Sequence, residues 1–455
     1  MTRVDLWKWL YPGMGVKRWL LVMAAGVLLV SAGFTLIVDV DLLGAVERGL
    51  ARGVGRLAGS LTPLAVPAAA LAVIASGAAC IVVGLRQTIR SLLDVVLPGH
   101  IDSLANLVYR RHYLKRGPRV VAIGGGTGLS TLLRGVKGFT SNITAIVTVA
   151  DDGGSSGRLR VELGMPPPGD VRNTLVALAD TESLMERLFQ YRFQVGEGLK
   201  GHSFGNLFIA AMTEITGDFE QAVRESSKVL AVRGQVLPAT LQPVVLAAEY
   251  ADGSRTRGES QLPRAGKRIR RVALEPPDVQ PLAEAVRAIR EADVIVLGPG
   301  SLYTSILPNL LVPGIADAIR RSEAMRVYVC NVMTQPGETD GYAASDHVRA
   351  LLDHAGPGIV DYVLLNSGRV PPGLAEKYRQ QGAYPVVADL PAIRALGLVP
   401  ISRPLISATD LARHDSEKLA LALRDLWEAH RAAHGQTRKA WMARLWPAWA
   451  RRHGG

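Results

Sequence analysis

At 455 residues the chain is too long for one ordinary core, and its two cysteines, Cys80 and Cys330, both in apolar runs, exclude a disulfide framework. The formal charge of +12 resembles a nucleic-acid signal, but residues 1–38, 86–119 and 436–455 carry +3, +5 and +5, whereas 39–85 balance to 0 and 120–435 to −1. The basic charge sits in the flanks, so nucleic acid is set aside as a partner of the large central part.

Residues 19–38, WLLVMAAGVLLVSAGFTLIV, run for 20 residues without a charge, and residues 57–85 for 29. At 1.5 Å per residue the first run reaches about 30 Å, one hydrocarbon core. Pro63 and Pro67 move the start of the second span to about residue 65. Two transmembrane helices are expected, over 19–38 and 65–85. A signal peptide is the rival reading of the first. Its apolar run exceeds a typical signal core, no small-x-small site precedes Asp39, and a second span follows. Arg3, Lys8, Lys17 and Arg18 precede the first span, and Arg86, Arg90, Arg110, Arg111, Lys115 and Arg116 follow the second. The positive-inside rule then places the N-terminus and the main domain in the cytoplasm, with a short loop outside. Neither span contains a charge, which argues against a pore or proton relay. Residues 1–86 read as a cell-membrane anchor, with Trp7, Trp9 and Trp19 suited to the interface, and 87–118 as a basic juxtamembrane linker.

The texture changes at residue 119. RVVAIGGGTGLSTLLRGVK reads strand, glycine turn, helix. NITAIVTVADD is a buried strand, DVRNTLVALAD a helix, ADVIVLGPGSLYTSIL strand, turn and helix again, and MRVYVCNVMTQPGETDG and IVDYVLLNSG two further strands. Apolar strands alternating with helices predict an α/β fold over 119–435: a Rossmann-like, doubly wound, mostly parallel sheet. Residues 233–274, with an Asp252-Gly253 hairpin turn, read as an exposed, charged, β-rich insertion. In the tail, 436–455, Trp441, Leu445 and Trp449 recur at intervals of four among basic residues. It is either an interfacial segment on an anionic membrane or a disordered basic tail.

Ligands in such folds bind at the carboxyl ends of the strands, near the switch in strand order. Gly124, Gly125, Gly126, Thr127 and Gly128 join a strand to a helix there and suit a phosphate. Leu129 replaces the third glycine of the dinucleotide fingerprint, and no Lys-Ser/Thr follows to make a Walker loop. In TVADDGGSSGRLR, Asp151 and Asp152 suit ribose hydroxyls or a divalent cation. Gly154, Ser155 and Ser156 suit an anion, and Arg158 and Arg160 suit phosphates. Asp170, in PPPGDVRN, is either a helix cap or a second carboxylate beside Asp152. His202 and Asn206, in GHSFGNL, are ligand candidates or structural residues. Gly300, Ser301 and Tyr303 form a second glycine junction, and Asn331, Thr334 and Gln335 another strand end. No Ser-His-Asp, Cys-His or zinc spacing occurs.

These motifs, in this order, resemble the bacterial gluconeogenesis-factor (YvcK-like) proteins, relatives of the 2-phospho-lactate transferase (CofD) family. The likeness covers roughly 119–430 and leaves out the hairpin and the tail. It implies a cytoplasm-facing, Rossmann-like binder of UDP-sugars, chiefly UDP-N-acetylglucosamine, needed for cell shape and wall synthesis on gluconeogenic carbon sources, with no established catalysis. It assigns nucleotide-sugar binding to Tyr378 and Arg413, which spacing does not reveal, and, through the transferase branch, Mg2+ to Asp152 and Asp170. The expected partners are the nucleotide sugar and the inner membrane; enzymes of cell-wall precursor supply and a homo-oligomer are compatible with it. The alternative is a metal-dependent phosphotransferase of the 2-phospho-lactate transferase type. A nicotinamide oxidoreductase fits least, for want of the full glycine fingerprint.

Overall fold

The uncharged apolar runs become two long helices, α1 (Val16–Val38) and α2 (Ala65–Val96). The structure, a computed structural model, describes residues 16–38, 65–96, 113–180, 183–408 and 412–433. It divides into two units at Arg110 and Arg111. The predicted outer loop, the linker over 97–112 and the Trp-rich tail over 436–455 lie outside the described residues.

In the first unit, α1 and α2 run antiparallel and meet through small residues. A methyl added at Gly26 would lie 2.7 Å from the Gly77 carbonyl oxygen, and one at Gly77 would lie 2.7 Å from that of Gly26. Gly33 meets Ala70, and Gly84 meets Trp19. The seven-residue steps from Gly26 to Gly33 and from Ala70 through Gly77 to Gly84 keep one seam facing the partner, as backbone-close membrane helix pairs require. Leu21, Leu28, Phe34, Leu71 and Val82 point outward. Arg18–Thr35 and Ala68–Ser91, with mean hydropathy 1.7 and 2.4, are long and apolar enough to cross a membrane. α2 outruns the expected span and takes up the start of the expected linker. Past Leu85, Ile89 and Leu93 keep helical spacing although Arg86 and Arg90 end the uncharged run.

The second unit opens with β1 (Val120–Gly124), α3 (Gly126–Val136) and β2 (Ile143–Val147), as the glycine-turn pattern predicts. Helices α4 (Gly154–Leu163), α5 (Gly169–Leu178), α6 (Ser183–Gln190), α7 (Phe204–Thr216) and α8 (Phe219–Val229) precede β3 (Gln235–Pro238). An antiparallel sheet of β4 (Val245–Tyr250), β5 (Arg255–Arg257) and β6 (Ile269–Glu275) is inserted next. Then come α9 (Ala283–Glu291), β7 (Val294–Leu297), a π turn at Leu302–Ile306, α10 (Leu307–Leu310), α11 (Ile315–Arg321) and β8 (Met325–Val329). The chain closes with α12 (Ala344–Ala355), β9 (Tyr362–Asn366), α13 (Pro372–Arg379), α14 (Leu390–Ala395), β10 (Val399–Arg403), the hairpin β11 (Ile406–Ala408) and β12 (Ala412–His414), and α15 (Ser416–Ala433).

The main sheet has seven parallel strands in the order β10-β9-β8-β7-β1-β2-β3. β1 pairs with β2 on one side and β7 on the other, so the order reverses between β1 and β7. Such a reversal leaves a crevice where the flanking loops part. Period-2 alternation splits β1 between two cores. Val121 and Ile123 pack with the insertion, α9 and α12, whereas Val120 and Ala122 pack with α3, α5 and α15. Both faces are covered, as the continuously apolar strands require.

The insertion starts later than the sequence suggests. Gln235–Pro238 belongs to the main sheet, where Thr144 pairs with Gln235. Its four residues are too short to separate by pattern from the strands that follow. The expected hairpin turn is present, with Gly253 at φ +80° between β4 and β5. The insertion is exposed on one face only, since Leu246, Ala248, Val272 and Leu274 are buried.

Candidate functional site

Two glycine turns abut where β1 and β7 diverge. A methyl at Gly124 would stand 3.7 Å from the Gly298 Cα, and one at Gly300 would stand 3.3 Å from the Gly125 carbonyl. At Gly128 it would collide with the Pro299 carbonyl, so this approach excludes any side chain. The buried Asn309, which no spacing marks, ties the turns together by donating from Nδ2 to the Gly124 carbonyl at 3.1 Å and to that of Ser305 at 2.7 Å. Thr127 is exposed on the first turn of α3. The Gly126 N–H is taken by the chain itself, donating to Asp170 Oδ1 at 2.9 Å. Asp170 thus caps α3 across the crevice rather than its own helix. An anion at the α3 N-terminus would compete with that carboxylate.

The TVADDGGSSGRLR loop parts company with several expectations. Asp151 Oδ1 accepts from the Gly153 N–H at 2.9 Å, while its other oxygen faces Gly169. Gly154, exposed at φ +51°, starts α4 with amides that no intrahelical bond uses. Ser155 and Ser156 are buried. Ser155 Oγ lies 3.0 Å from His202 Nδ1 and accepts from Asn206 Nδ2 at 3.1 Å, and Asn206 also reaches Ser156 Oγ at 3.4 Å. Burial, then Arg158, lowers the His202 pKa. With both serines, His202 and Asn206 join α4 to α7, and the buried Asn206 Oδ1 is left without a hydrogen-bond partner. The exposed Arg158 donates to the Lys200 carbonyl at 2.9 Å, and Arg160 reaches the Val244 carbonyl.

Carboxylates gather at the crevice floor. Burial, then Asp151, raises the Asp170 pKa to about 7. Glu259, on the insertion and unmarked by any motif, is raised to about 8 by burial and then by Asp151, Glu338, Asp152 and Asp170. Of the two carboxylates implied by the resemblance, Asp170 accepts from the Gly126 N–H and Asp152 from that of Ser260. Asp152 Oδ1 accepts from the Ser260 N–H at 2.8 Å and holds the insertion against the loop, whereas the carboxylate facing Asp170 is Asp151. Among the described residues no three His, Cys, Asp or Glu side chains are placed to hold a metal ion.

The crevice continues along the carboxyl edge toward β10. Asn331 Oδ1 faces the Gly300 N–H at 3.4 Å, and Ser301 Oγ donates to Gln335 Oε1 at 2.6 Å. Asn331 also lines a cavity of about 510 Å³ with Asn366, Gly368, Arg369, Val370 and Ser402, at the ends of β8, β9 and β10. Asn366 shapes this loop, accepting from the Gly368 N–H at 3.0 Å and the Leu405 N–H at 3.0 Å. Thr334 is buried and exchanges hydrogen bonds with the Tyr384 backbone, so it braces the loop. Tyr303 is buried away from the crevice, with its hydroxyl 2.8 Å from that of Tyr342. Tyr378 packs in a small cluster with Val332, Val370, Ile406 and Ala412. Val332 and Val370 line the cavity too, so Tyr378 stands behind its wall. Arg413, next to Ala412 on β12, is exposed. The fold thus brings α13 and the β11–β12 hairpin, distant in sequence, to one corner.

The family model described as 2-phospho-L-lactate transferase CofD matches residues 120–406. The gluconeogenesis factor of Bacillus subtilis is 56% identical over 310 residues, which cover 68% of this chain and 98% of that protein. A Nostoc sp. protein is 50% identical over 426 residues, 92% of each chain. A crystal structure of a Bacillus halodurans protein superposes with a TM-score of 0.67 at 57% identity, covering 68% of this chain and 99% of that one. By these matches the chain belongs to the gluconeogenesis-factor family, built on a CofD-type domain.

Proposed function

We propose that this protein is a membrane-tethered, non-catalytic binder of a UDP-sugar, UDP-N-acetylglucosamine in the first instance, which couples that ligand's level to cell-wall precursor supply and cell shape. One observation carries the reading: the glycine turns at the β1–β7 switch run through Asn331 into the β8–β10 cavity beside Tyr378 and Arg413. The α4 start at the exposed Gly154 and the second glycine turn would take phosphate oxygens. The exposed Arg413 would hold the far end, with Tyr378 bracing the wall behind it.

The test is thermal melting of the full-length chain in detergent with UDP-N-acetylglucosamine. Stabilisation is expected at millimolar ligand. Arg413→Ala is expected to weaken binding by roughly 10- to 100-fold, the cost of losing one charge-assisted hydrogen bond. No shift at millimolar ligand sinks the reading.

A further inference from the structure

The inserted sheet turns a cationic face to solvent. Residues 245–275 hold seven Lys/Arg against four Asp/Glu. The rest of the domain is acidic: residues 120–435 sum to −1 with this stretch and to −4 without it. Register places the side chains. Leu246, Ala248, Val272 and Leu274 are buried, so the residues alternating with them point outward. Arg255 and Arg271 flank Glu249 in one cross-strand row, and Arg257 and Ala273 flank Ala247 in the next. A register shift between Glu249 and Tyr250 leaves Arg270 without a ladder partner, and both Arg270 and Arg271 are exposed. Lys267 meets Asp252 of the β4–β5 turn at 2.8 Å, and the exposed Arg268 follows it.

The cations stand above their carboxylates. Glu249 serves both Arg255, at 3.0 Å, and Arg270, at 3.4 Å, and its side chain is 32% exposed against 78% and 71% for theirs. The Glu275 side chain is 42% exposed where that of its partner Arg257 is 70%. Arg268 and Arg271 have no ion pair among the described residues. The fourth acid, Glu259, faces the crevice carboxylates instead, and burial with their repulsion raises its pKa to about 8, so it does not offset the face at neutral pH.

We infer that this outer face of the inserted sheet is a docking surface for the anionic headgroups of a membrane leaflet. Charge complementarity carries the choice: protruding guanidiniums over recessed carboxylates meet a plane of phosphates without stripping the acids of their partners. The chain itself brings the bilayer, since Arg18–Thr35 and Ala68–Ser91 are long and apolar enough to cross one, and a tethered face meets headgroups at high effective concentration. A protein partner needs an aromatic or large aliphatic anchor, and a single-stranded nucleic acid a stacking platform. The face supplies neither. Tyr250, the one aromatic of residues 245–275, is buried, and the residues between the arginines are Ala247 and Ala273. The contact stands independently of the UDP-sugar reading.

The experiment reconstitutes the full-length chain in nanodiscs, of phosphatidylcholine alone or of phosphatidylcholine and phosphatidylglycerol in equal parts. Arginine modification by phenylglyoxal is followed residue by residue with mass spectrometry. Arg255, Arg257, Arg270 and Arg271 are expected to react roughly 5-fold more slowly in the mixed discs, and high salt is expected to remove the difference. Arg187 and Arg394, exposed on other elements, are expected to react alike in both. Arg255→Gln combined with Arg271→Gln leaves the buried side of the sheet untouched and should abolish most of the protection of Arg257 and Arg270. Equal rates at the face in both discs, equal protection at Arg187 and Arg394, or unchanged protection in the double variant overturns the docking surface. Equal protection in phosphatidylcholine discs by added glycerol phosphate or short duplex DNA would assign the face to a soluble anion and overturns it too. The double variant should keep the UDP-N-acetylglucosamine shift in detergent. Loss of that shift in the wild type overturns the proposed function and leaves the docking surface standing.

Discussion

Glu259 shows how one side chain can set a pH dependence for the whole second unit. It projects from the insertion toward four other carboxylates, and burial adds to their repulsion, so its pKa stands at about 8 against an ordinary value of 4.5. A carboxyl raised on folding favours the native state in its protonated form. Its ionisation therefore withdraws stability progressively from about pH 4.5 upward, until the loss is complete above pH 8. Asp170, raised to about 7, and Glu338, also raised to about 7, act in the same direction. Glu259→Gln removes the titration while keeping most of the shape. It is expected to melt like the wild type at pH 5 and to be more stable at pH 9, by on the order of 2–3 kcal/mol. Melting curves in chelator-containing detergent buffer across that range check this. A variant that loses its advantage as pH rises would reverse the sign and refute the assignment.

Elements meet through a few polar joints, and these joints were the least legible part of the sequence. Strand, glycine turn and helix were readable at 119–137 and 293–310 because apolar period and glycine placement agree there. The site's edge was readable because parallel strands expose their carboxyl ends at such turns. The contents of GHSFGNL were not. The same His202 and Asn206 serve a ligand or a joint depending on whether Ser155 and Ser156 point inward, and only packing decides that. Tyr378 and Arg413 lie on elements that carry no phosphate-loop pattern, and the corner they share forms only when β11–β12 folds back beside α13. Glu259 hides in a segment that reads as a surface insertion. The Asp152–Ser260 bond makes that insertion a wall of the crevice. Asp152→Ala is expected to leave the fold intact but to free the turn around Ser260. Amide exchange over 258–262 should then quicken by roughly 5- to 30-fold, the equivalent of about 1–2 kcal/mol of lost docking. Unchanged exchange there would show that the apolar contacts of Leu262 hold the turn without the carboxylate.

The whole molecule is longer than some of its relatives and matched nearly end to end by others. The Bacillus subtilis protein is matched over 98% of its length by only 68% of this chain, whereas the Nostoc sp. protein is matched over 92% of both. The second unit accordingly has its own two-faced core, and among the described residues every strand of its sheets lies within it. The first unit has the opposite character. Its inward seam is glycine and alanine, and its outward face is leucine, valine and phenylalanine, a surface stable in lipid and costly in water. Exposing several such side chains to water costs roughly 1.5–3 kcal/mol each relative to burial, which is ample to hold the chain in a bilayer. Full-length protein is therefore expected to stay with the membrane through alkaline carbonate and high salt. A chain starting at Arg111 is expected to leave it, helped by salt because Lys115, Arg116 and the basic residues after 436 still favour an anionic surface. That shortened chain should keep its UDP-N-acetylglucosamine stabilisation. If it stayed in the pellet at high salt, or if carbonate extracted the full-length chain, the hairpin would not be the anchor.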